Sequence, residues 1–179
     1  RKLRQRQIAQ AKLVVVATDD VPELVYDALD AYHTAGGKTI LATANLDALD
    51  AEHTIWDNWG VSVYENLGGR SSALNFDEAD HAIFNIPFLV PATFDRLGGE
   101  YADFGDALQA TAGEELALLP ASFDRIPYPV NGAIAIAPDM KSIINSFAVG
   151  GLDNEDEEGV TDGVRLLANE IFYLGRRSD

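Results

Sequence analysis

Six polar residues stand where side-chain chemistry would be expected in this chain of 179 residues: Asp19, Asp20, Thr43, Asn45, His81 and Asp139. Asp19-Asp20, Thr43 to Asn45, and Asp139 each follow an apolar run that reads as a strand. Open α/β sheets hold their ligands beyond the carboxyl ends of strands, so these residues are the ligand-binding candidates. The two aspartates can divide the work, one capping a helix and one facing a cleft. A metal held by Asp19, Asp20 and Asp139 would need their oxygens to converge, and spacing alone gives no such convergence. The acidic run Asp153-Asn154-Glu155-Asp156-Glu157-Glu158-Gly159 lacks the alternation, central glycine and terminal glutamate of an EF-hand loop, and reads as a solvated loop. No metal or cofactor is expected.

Other chemistries find less footing. With no cysteine there is no thiol nucleophile, disulfide or thiolate zinc site. His33, His53 and His81 are the only histidines, and none falls in an HxH or HExxH pattern. No GxSxG elbow is present, and Ser71-Ser72 follows Gly68-Gly69-Arg70 in a loop-like stretch. The glycine pairs form neither GxGxxG nor GxxxxGK[ST], so nucleotide binding through those motifs is unsupported. No catalytic residue is assigned.

The elements that would position these residues begin with a helix-like, basic segment over 1–12. Leu13 to Ala17 and Thr39 to Ala44 are continuous apolar runs, the pattern of strands buried on both faces in a parallel sheet. Between them, Val21 to His33 has helical period, with Val21, Leu24, Val25, Ala28, Leu29 and Tyr32 on one stripe, Pro22 in its first turn, and Gly36-Gly37 as its stop. A second helix is expected over about 46–58, carrying Leu46, Leu49, Ile55 and Trp56 and capped by Asn45, then a third strand over Val61 to Tyr64. This alternation predicts a doubly wound, mostly parallel α/β sheet, flavodoxin-like or amidotransferase-like, forming one domain over 13–179. Because the chain opens on a helix, the first strand of such a fold either lies upstream and is missing, or is supplied by another chain, or the fold simply begins with a helix. Downstream, Ala73 to Phe76 is a candidate strand and Ala82 to Val90 an extended or edge segment broken by Pro87. Phe104 to Ala112 reads as a short helix, Leu116 to Leu119 and Phe123 to Ile126 as short strands, and Gly132 to Ala137 as a clear strand. Met140 to Ser146 reads as a short helix or turn. Thr161 to Leu174 closes the chain as an amphipathic helix with Val164, Leu167, Ile171 and Leu174 on its stripe.

The formal net charge is −16, from 13 Lys+Arg against 29 Asp+Glu. Such a surface repels phosphates, so nucleic-acid binding by the body is not expected. Scarce lysine with abundant aspartate resembles proteins adapted to high salt; an ordinary acidic protein is the alternative. Arg1, Lys2, Arg4 and Arg6 crowd the start and are candidates for docking on an acidic protein partner, or form a solvated tail. No apolar run reaches roughly 18 residues, so no membrane span is expected. The location stays open between the cytoplasm of a halophile and a membrane-associated or cell-surface setting.

Several stretches carry a resemblance. "AYHTAGGKTILAT", the following "WGVSV", "DEADHAIFNIPF", and the ending "AIAIAPDMKSIINSF" with "LDNEDEEGVTDGVRLLANEIFYLGRR" together resemble class I glutamine amidotransferase-like domains, in particular ThuA-like members and gliding-motility transporter accessory proteins. The likeness extends over about residues 13–177. Laying "ILATANLD" on the family's nucleophile elbow puts Ala44 where glutamine-hydrolysing members carry cysteine; a slip of one brings Thr43 or Asn45 there, and neither supplies a thiolate. His81 falls in the family's Asp-His-Pro stretch, with Ala82 in place of the proline.

The resemblance implies a noncatalytic member: a binding or assembly module working with another protein chain or with an upstream segment of its own. The alternative is a ThuA-like carbohydrate or small-metabolite enzyme using Asp19, Asp20, His81 or Asp139. A third reading is a sensor or solute-binding domain with a pocket lined by Trp56, Trp59 and Tyr64.

Overall fold

The computed structural model describes residues 11–18, 20–70, 72–95, 104–111, 113 and 115–176. The basic helix or linker expected over 1–12, with Arg1, Lys2, Arg4 and Arg6, lies almost wholly outside them, as does Asp19. In chain order the elements are β1 (Leu13–Ala17), α1 (Glu23–Thr34), β2 (Lys38–Ala42), a 3-10 turn (Leu46–Ala48), α2 (Ile55–Trp59), β3 (Val61–Asn66) and β4 (Leu74–Asn75). Then follow α3 (Ala82–Asn85), β5 (Thr93–Phe94), β6 (Asp106–Ala110), β7 (Leu118–Phe123), β8 (Gly132–Ile136), β9 (Ser142–Asn145), a 3-10 turn (Val149–Gly151) and α4 (Asp162–Arg176).

One mixed sheet of nine strands runs β1-β2-β9-β8-β7-β4-β5, with β3 attached through β6, which bridges to β8. Among the described residues only β1–β2 and β2–β9 are parallel strand pairs; the other six pairings between strands are antiparallel. The expected doubly wound, mostly parallel architecture is therefore overturned. The reason lies in the connections. Parallel neighbours need a crossover of a dozen or more residues. β8 and β9 are instead joined by a tight turn at Pro138–Lys141, held by Met140 N–H donating to Ala137 C=O at 2.8 Å. Val61–Asn66 is a strand as expected, but it leaves the parallel set and pairs antiparallel with β6.

Burial on both faces misled the reading of strand direction. Helices cover both sides of parallel and antiparallel strands alike. On one side Ile40, Ile134, Ile136 and Ile143 meet Ile83, Phe84, Leu166 and Leu174 from α3 and α4. On the other, Leu41, Ala135 and Ile144 meet Tyr26, Leu29, Ile55 and Trp59 from α1 and α2. Successive residues alternate between the two cores, as a pleated strand requires.

Several elements also differ from expectation. The stretch read as a helix over Phe104 to Ala112 contains strand β6 instead, at Asp106–Ala110, and Met140 to Ser146 contains the fully buried strand β9. Local propensity yields here to pairing with neighbouring strands. The predicted helix over 46–58 is a 3-10 turn followed by one short helix, although Leu46, Leu49, Ile55 and Trp56 are all buried. The Ala82 to Val90 segment opens on a short helix rather than running extended, and a single strand through Pro120 replaces the two expected around it.

Two helices are rotated from their predicted phase. α1 buries Tyr26, Leu29, Tyr32 and His33, leaving Leu24 69% exposed. α4 buries Asp162, Gly163, Leu166, Asn169, Glu170 and Leu174, whereas Val164 and Ile171 of the predicted stripe are exposed. Asp162, Asn169 and Glu170 share the buried face of α4, and of the predicted stripe only Leu174 is buried, with Leu167 packed at the margin of the core.

Candidate functional site

At the carboxyl ends of β1 and β2 the chain turns twice, and a side chain from far along the sequence holds the second turn. Asp106, the first residue of β6, is fully buried. Its Oδ2 accepts hydrogen bonds from the backbone N–H of Leu46 at 2.6 Å and of Asp47 at 3.1 Å. It caps the 3-10 turn from a distance, a role expected of Asn45. Asn45 instead donates its own N–H to Thr43 Oγ1 at 3.3 Å and makes no side-chain cap. Gly105 (φ +135°) permits this approach: a Cβ there would lie 2.2 Å from the Ser146 carbonyl oxygen. That carbonyl accepts from Asp106 N–H at 2.9 Å. The glycine ahead of an acid in an apolar stretch was the signal available in the sequence, hidden once the stretch was read as a helix.

Beside this turn lies a cavity of about 330 Å³ walled by Val21, Glu23, Tyr26, Ala48, Leu49 and Asp50. Tyr26 is 2% exposed, and its hydroxyl has no hydrogen-bond partner among the described residues. Burial, and then the charges of Asp106, Asp20 and Asp47, push the phenol well above its ordinary range, so it stays neutral. Asp20 and Thr43 both belong to this end of the sheet, Asp20 exposed and Thr43 fully buried.

Asp139 does not join them. β8 runs antiparallel to β9, so its carboxyl end lies beside the amino ends of β9 and β2. Five-residue strands put about 16 Å between the two ends. There Asp139 Oδ2 lies 3.2 Å from His33 Nε2, His33 Nδ1 lies 2.8 Å from Ser142 Oγ, and that oxygen lies 2.7 Å from Thr39 Oγ1. This has the connectivity of a Ser-His-Asp relay. It was not anticipated because the serine opens a strand rather than an elbow. A single run of donors satisfies it: Thr39 to Ser142, Ser142 to His33, His33 to Asp139. Ser142 and Thr39 are buried to 0% and 1% exposure, so the serine oxygen is closed to substrate. The network ties α1, β2, β9 and the β8–β9 turn together.

His81 serves a third place. It precedes α3, where its Nδ1 accepts from Ile83 N–H at 3.4 Å and its ring tilts against Tyr173 at 5.2 Å. After α3, Ile86, Phe88 and Leu89 point outward at 45%, 46% and 73% exposure. The segment is not loose. Fully buried Asn169 accepts from Phe88 N–H at 2.9 Å and donates to the carbonyls of Phe88 at 2.7 Å and Ile83 at 3.0 Å. One amide on α4 therefore fixes an apolar loop 81 residues earlier in the chain.

Next to it on α4, Glu170 is fully buried and its Oε2 accepts from Asn145 Nδ2 at 3.0 Å. Burial pushes its carboxyl up to about 8, against the opposing effect of the Asn145 bond. The remaining oxygens, Glu170 Oε1 and Asn145 Oδ1, have no hydrogen-bond partner among the described residues.

Trp56 and Trp59 pack edge to face at 5.4 Å in the core, and Tyr64 is half exposed, so the three line no common pocket. In the acidic loop, Asp156 is held below the usual carboxylate range by the Val160 N–H and by Arg165. Among the described residues no group of three or more His, Cys, Asp or Glu is placed to hold a metal ion. Nor is any described helix long and apolar enough to cross a membrane.

No protein-family model and no curated protein matches the sequence. Solved structures do share the fold. The cold-adapted β-galactosidase from Rahnella sp. R3 matches with a TM-score of 0.54 at 12% identity, over 94% of this chain and 24% of that chain. α-L-Fucosidase isoenzyme 2 from Paenibacillus thiaminolyticus matches with a TM-score of 0.50 at 10% identity, over 92% of this chain and 25% of that one. The chain thus spans about a quarter of the length of either glycosidase. At such identities the likeness concerns the fold alone, and it joins this mixed sheet to glycosidase chains rather than to a doubly wound parallel fold.

Proposed function

We propose that this chain is a noncatalytic assembly module that packs against another protein chain through the apolar loop Ile86–Leu89. The rigid hold of Asn169 on that loop carries the reading. Three apolar side chains sit outside the core on a loop whose Phe88 backbone makes two hydrogen bonds with a buried amide, the same amide that also bonds Ile83 in α3. Exposed apolar groups gathered in one place mark interaction surfaces more often than accidents of folding. Ordering the loop in advance lowers the entropic cost of docking. Two further observations agree. The serine of the relay-like network is sealed, and Asp20, His81 and Asp139 belong to three separate places in the fold. In the two glycosidases, a unit of this fold makes up about a quarter of a longer chain, the setting in which a module packs against other parts of a protein.

Photo-crosslinking tests this reading. A benzophenone side chain at Leu89 should give one discrete adduct with another polypeptide in cells that make the protein, and Leu89→Asp paired with a benzophenone at Phe88 should lose it. A benzophenone at Leu116, 64% exposed against 73% for Leu89 and outside the loop, is the control. Adducts of equal yield from Leu116, or none from Leu89, overturn the docking face. Turnover of any glycoside or ester that Asp20→Asn or Ser142→Ala abolishes in a folded protein overturns the noncatalytic part.

A further inference from the structure

The sheet ends on one side at β1, and that edge lacks the protection found at the others. β5, at the far end, is only two residues long, and β3, paired with β6, carries a bulge between Val63 and Glu65. Short edges, bulges and charged side chains are the usual defences of an unpaired strand. β1 instead pairs with β2 over five residues in unbroken register and reads Leu-Val-Val-Val-Ala, with neither a charge nor a proline. Its free side is well defined. Thr18 N–H donates to Ala42 C=O at 3.0 Å. By alternation Val14 and Val16 turn their backbone groups to β2, and Leu13, Val15 and Ala17 turn theirs outward. Among the described residues no strand pairs with that outer side. Val15 is 40% exposed, and Ala17 is exposed as well. The helix above continues the apolar surface. α4 packs over β1 and β2. Its Asn169 faces Ile83 and Phe88, while Phe84 of α3 stacks on Phe76 beside β4, toward the opposite end of the sheet. At about 100° per residue, Val164, Leu167 and Ile171 lie on the flank away from Asn169, above the β1 margin. Val164 and Ile171 are exposed there.

We propose that this margin is the interface of a homodimer, in which β1 pairs antiparallel with β1 of a second copy across a two-fold axis through Val15. The edge is complementary to itself. With Val15 opposite Val15 of the second copy, Leu13 meets Ala17, and the outward N–H and C=O groups of these three residues make about six hydrogen bonds. Lys12 and Asp20 are both exposed and stand at opposite ends of the strand, about 26 Å apart. The two-fold sets each Lys12 opposite Thr18 and diagonal to Asp20 of the second copy, within reach of a long side chain. A parallel, in-register addition would set Lys12 beside Lys12 and Asp20 beside Asp20, so charge selects the antiparallel sense. The axis stands normal to the sheet, so both α4 helices fall on one face and turn Val164 and Ile171 toward each other. This margin is distinct from the Ile86–Leu89 loop, and it stands or falls independently of the assembly reading.

Analytical ultracentrifugation of the intact chain tests the proposal. At about 0.15 M salt the Debye length of about 8 Å screens the net charge of the two bodies but spares charges in contact. The chain should sediment as a dimer at about 100 μM. Val15→Pro removes only an outward N–H, which an edge strand tolerates. It should weaken dimerisation at least about tenfold while circular dichroism stays unchanged. Val15→Lys, an edge charge of the kind that blocks strand addition, should do the same. Lys12→Glu should weaken the dimer by about threefold or more, and Lys12→Glu with Asp20→Lys should restore it, because the two residues are too far apart to pair within one copy. The chain has no cysteine, so Val15→Cys should give an intermolecular disulfide on mild oxidation. Leu24→Cys, 69% exposed on α1, should not. A monomeric chain overturns the proposal, as it would be if residues 1–10 or a strand of a different protein were the occupant of this edge. So does a dimer that neither folded Val15 variant weakens, and so does a charge-swapped double variant no tighter than Lys12→Glu alone.

Discussion

The two ends of strands β2 and β9 hold comparable numbers of polar groups and use them in opposite ways. At the amino end, Thr39, Ser142, His33 and Asp139 form a continuous chain of side-chain contacts of 2.7–3.2 Å. At the carboxyl end, the Tyr26 hydroxyl and one oxygen each of Asn145 and Glu170 are buried without partners among the described residues. The first end looks like an active site when only residue types and distances are considered, yet its serine and threonine are buried and each has a side-chain partner, while only Asp139 reaches the surface. The second has no recognisable motif and keeps buried hydrogen-bonding capacity that is not met among the described residues. Completeness, rather than resemblance to a known constellation, is what marks the first end as a structural network.

Three substitutions would break or sharpen this contrast. The largest effect is expected at Asp106, which belongs to the carboxyl end but is structural. Asp106→Ala leaves the Leu46 and Asp47 N–H groups without their acceptor, and should lower unfolding free energy by about 3 kcal/mol in urea titrations. A loss under about 0.5 kcal/mol would mean the long-range cap is not what holds that turn. Next is Ser142→Ala at the amino end. It strands His33 Nδ1 and the Thr39 hydroxyl, and should cost about 1–2 kcal/mol by the same measurement. A stable Ser142→Ala protein would remove the amino end from the list of structural networks.

The smallest effect at pH 5, and the most diagnostic in its pH dependence, belongs to Glu170. The unfolded chain loses this proton near 4.5, while the fold retains it to about 8. Between those values the folded state binds more protons, so this group makes stability fall as pH rises, by about 1.4 kcal/mol per pH unit. Glu170→Gln is uncharged at every pH. It should match the parent within about 1 kcal/mol at pH 5 and exceed it increasingly from pH 6 to 8. Parallel stability curves for the two proteins over that range would show that the buried carboxyl is not carried as the neutral acid.

Much of this architecture is legible in the residues. Leu13–Ala17, Lys38–Ala42 and Gly132–Ile136 read as strands because β-branched and small apolar residues run without interruption, and the structure has strands there. The helices at Glu23–Thr34 and Asp162–Arg176 also stand out by period. Strand direction was not legible, because apolar runs covered by helices on both faces look alike in either sense. Ser142–Asn145 escaped notice because four residues carry no measurable period. Asp106–Ala110 escaped because Ala, Leu and Gln favour a helix until β3 and β8 offer them partners. The phase of α4 misled for a different reason. Asn169 and Glu170 face inward, and nothing local says that a polar pair will take the core face while Val164 and Ile171 turn outward. The carboxyl-end candidates Asp20 and Thr43 were named from strand ends alone; Tyr26 was counted among the stripe residues of neither helix face, and its unmet hydroxyl is a property that only three dimensions reveal.

The hold of Asn169 on the loop after α3 also has a kinetic side. A surface that must first be ordered meets its partner slowly, since only a fraction of encounters find the right shape. A loop whose backbone is already fixed presents one shape in every encounter, so diffusion and orientation set the association rate. Asn169→Asp would replace two donated hydrogen bonds with a second acceptor facing the carbonyls of Ile83 and Phe88. The same three apolar side chains would remain, but the chain would have to search for their arrangement anew at each meeting.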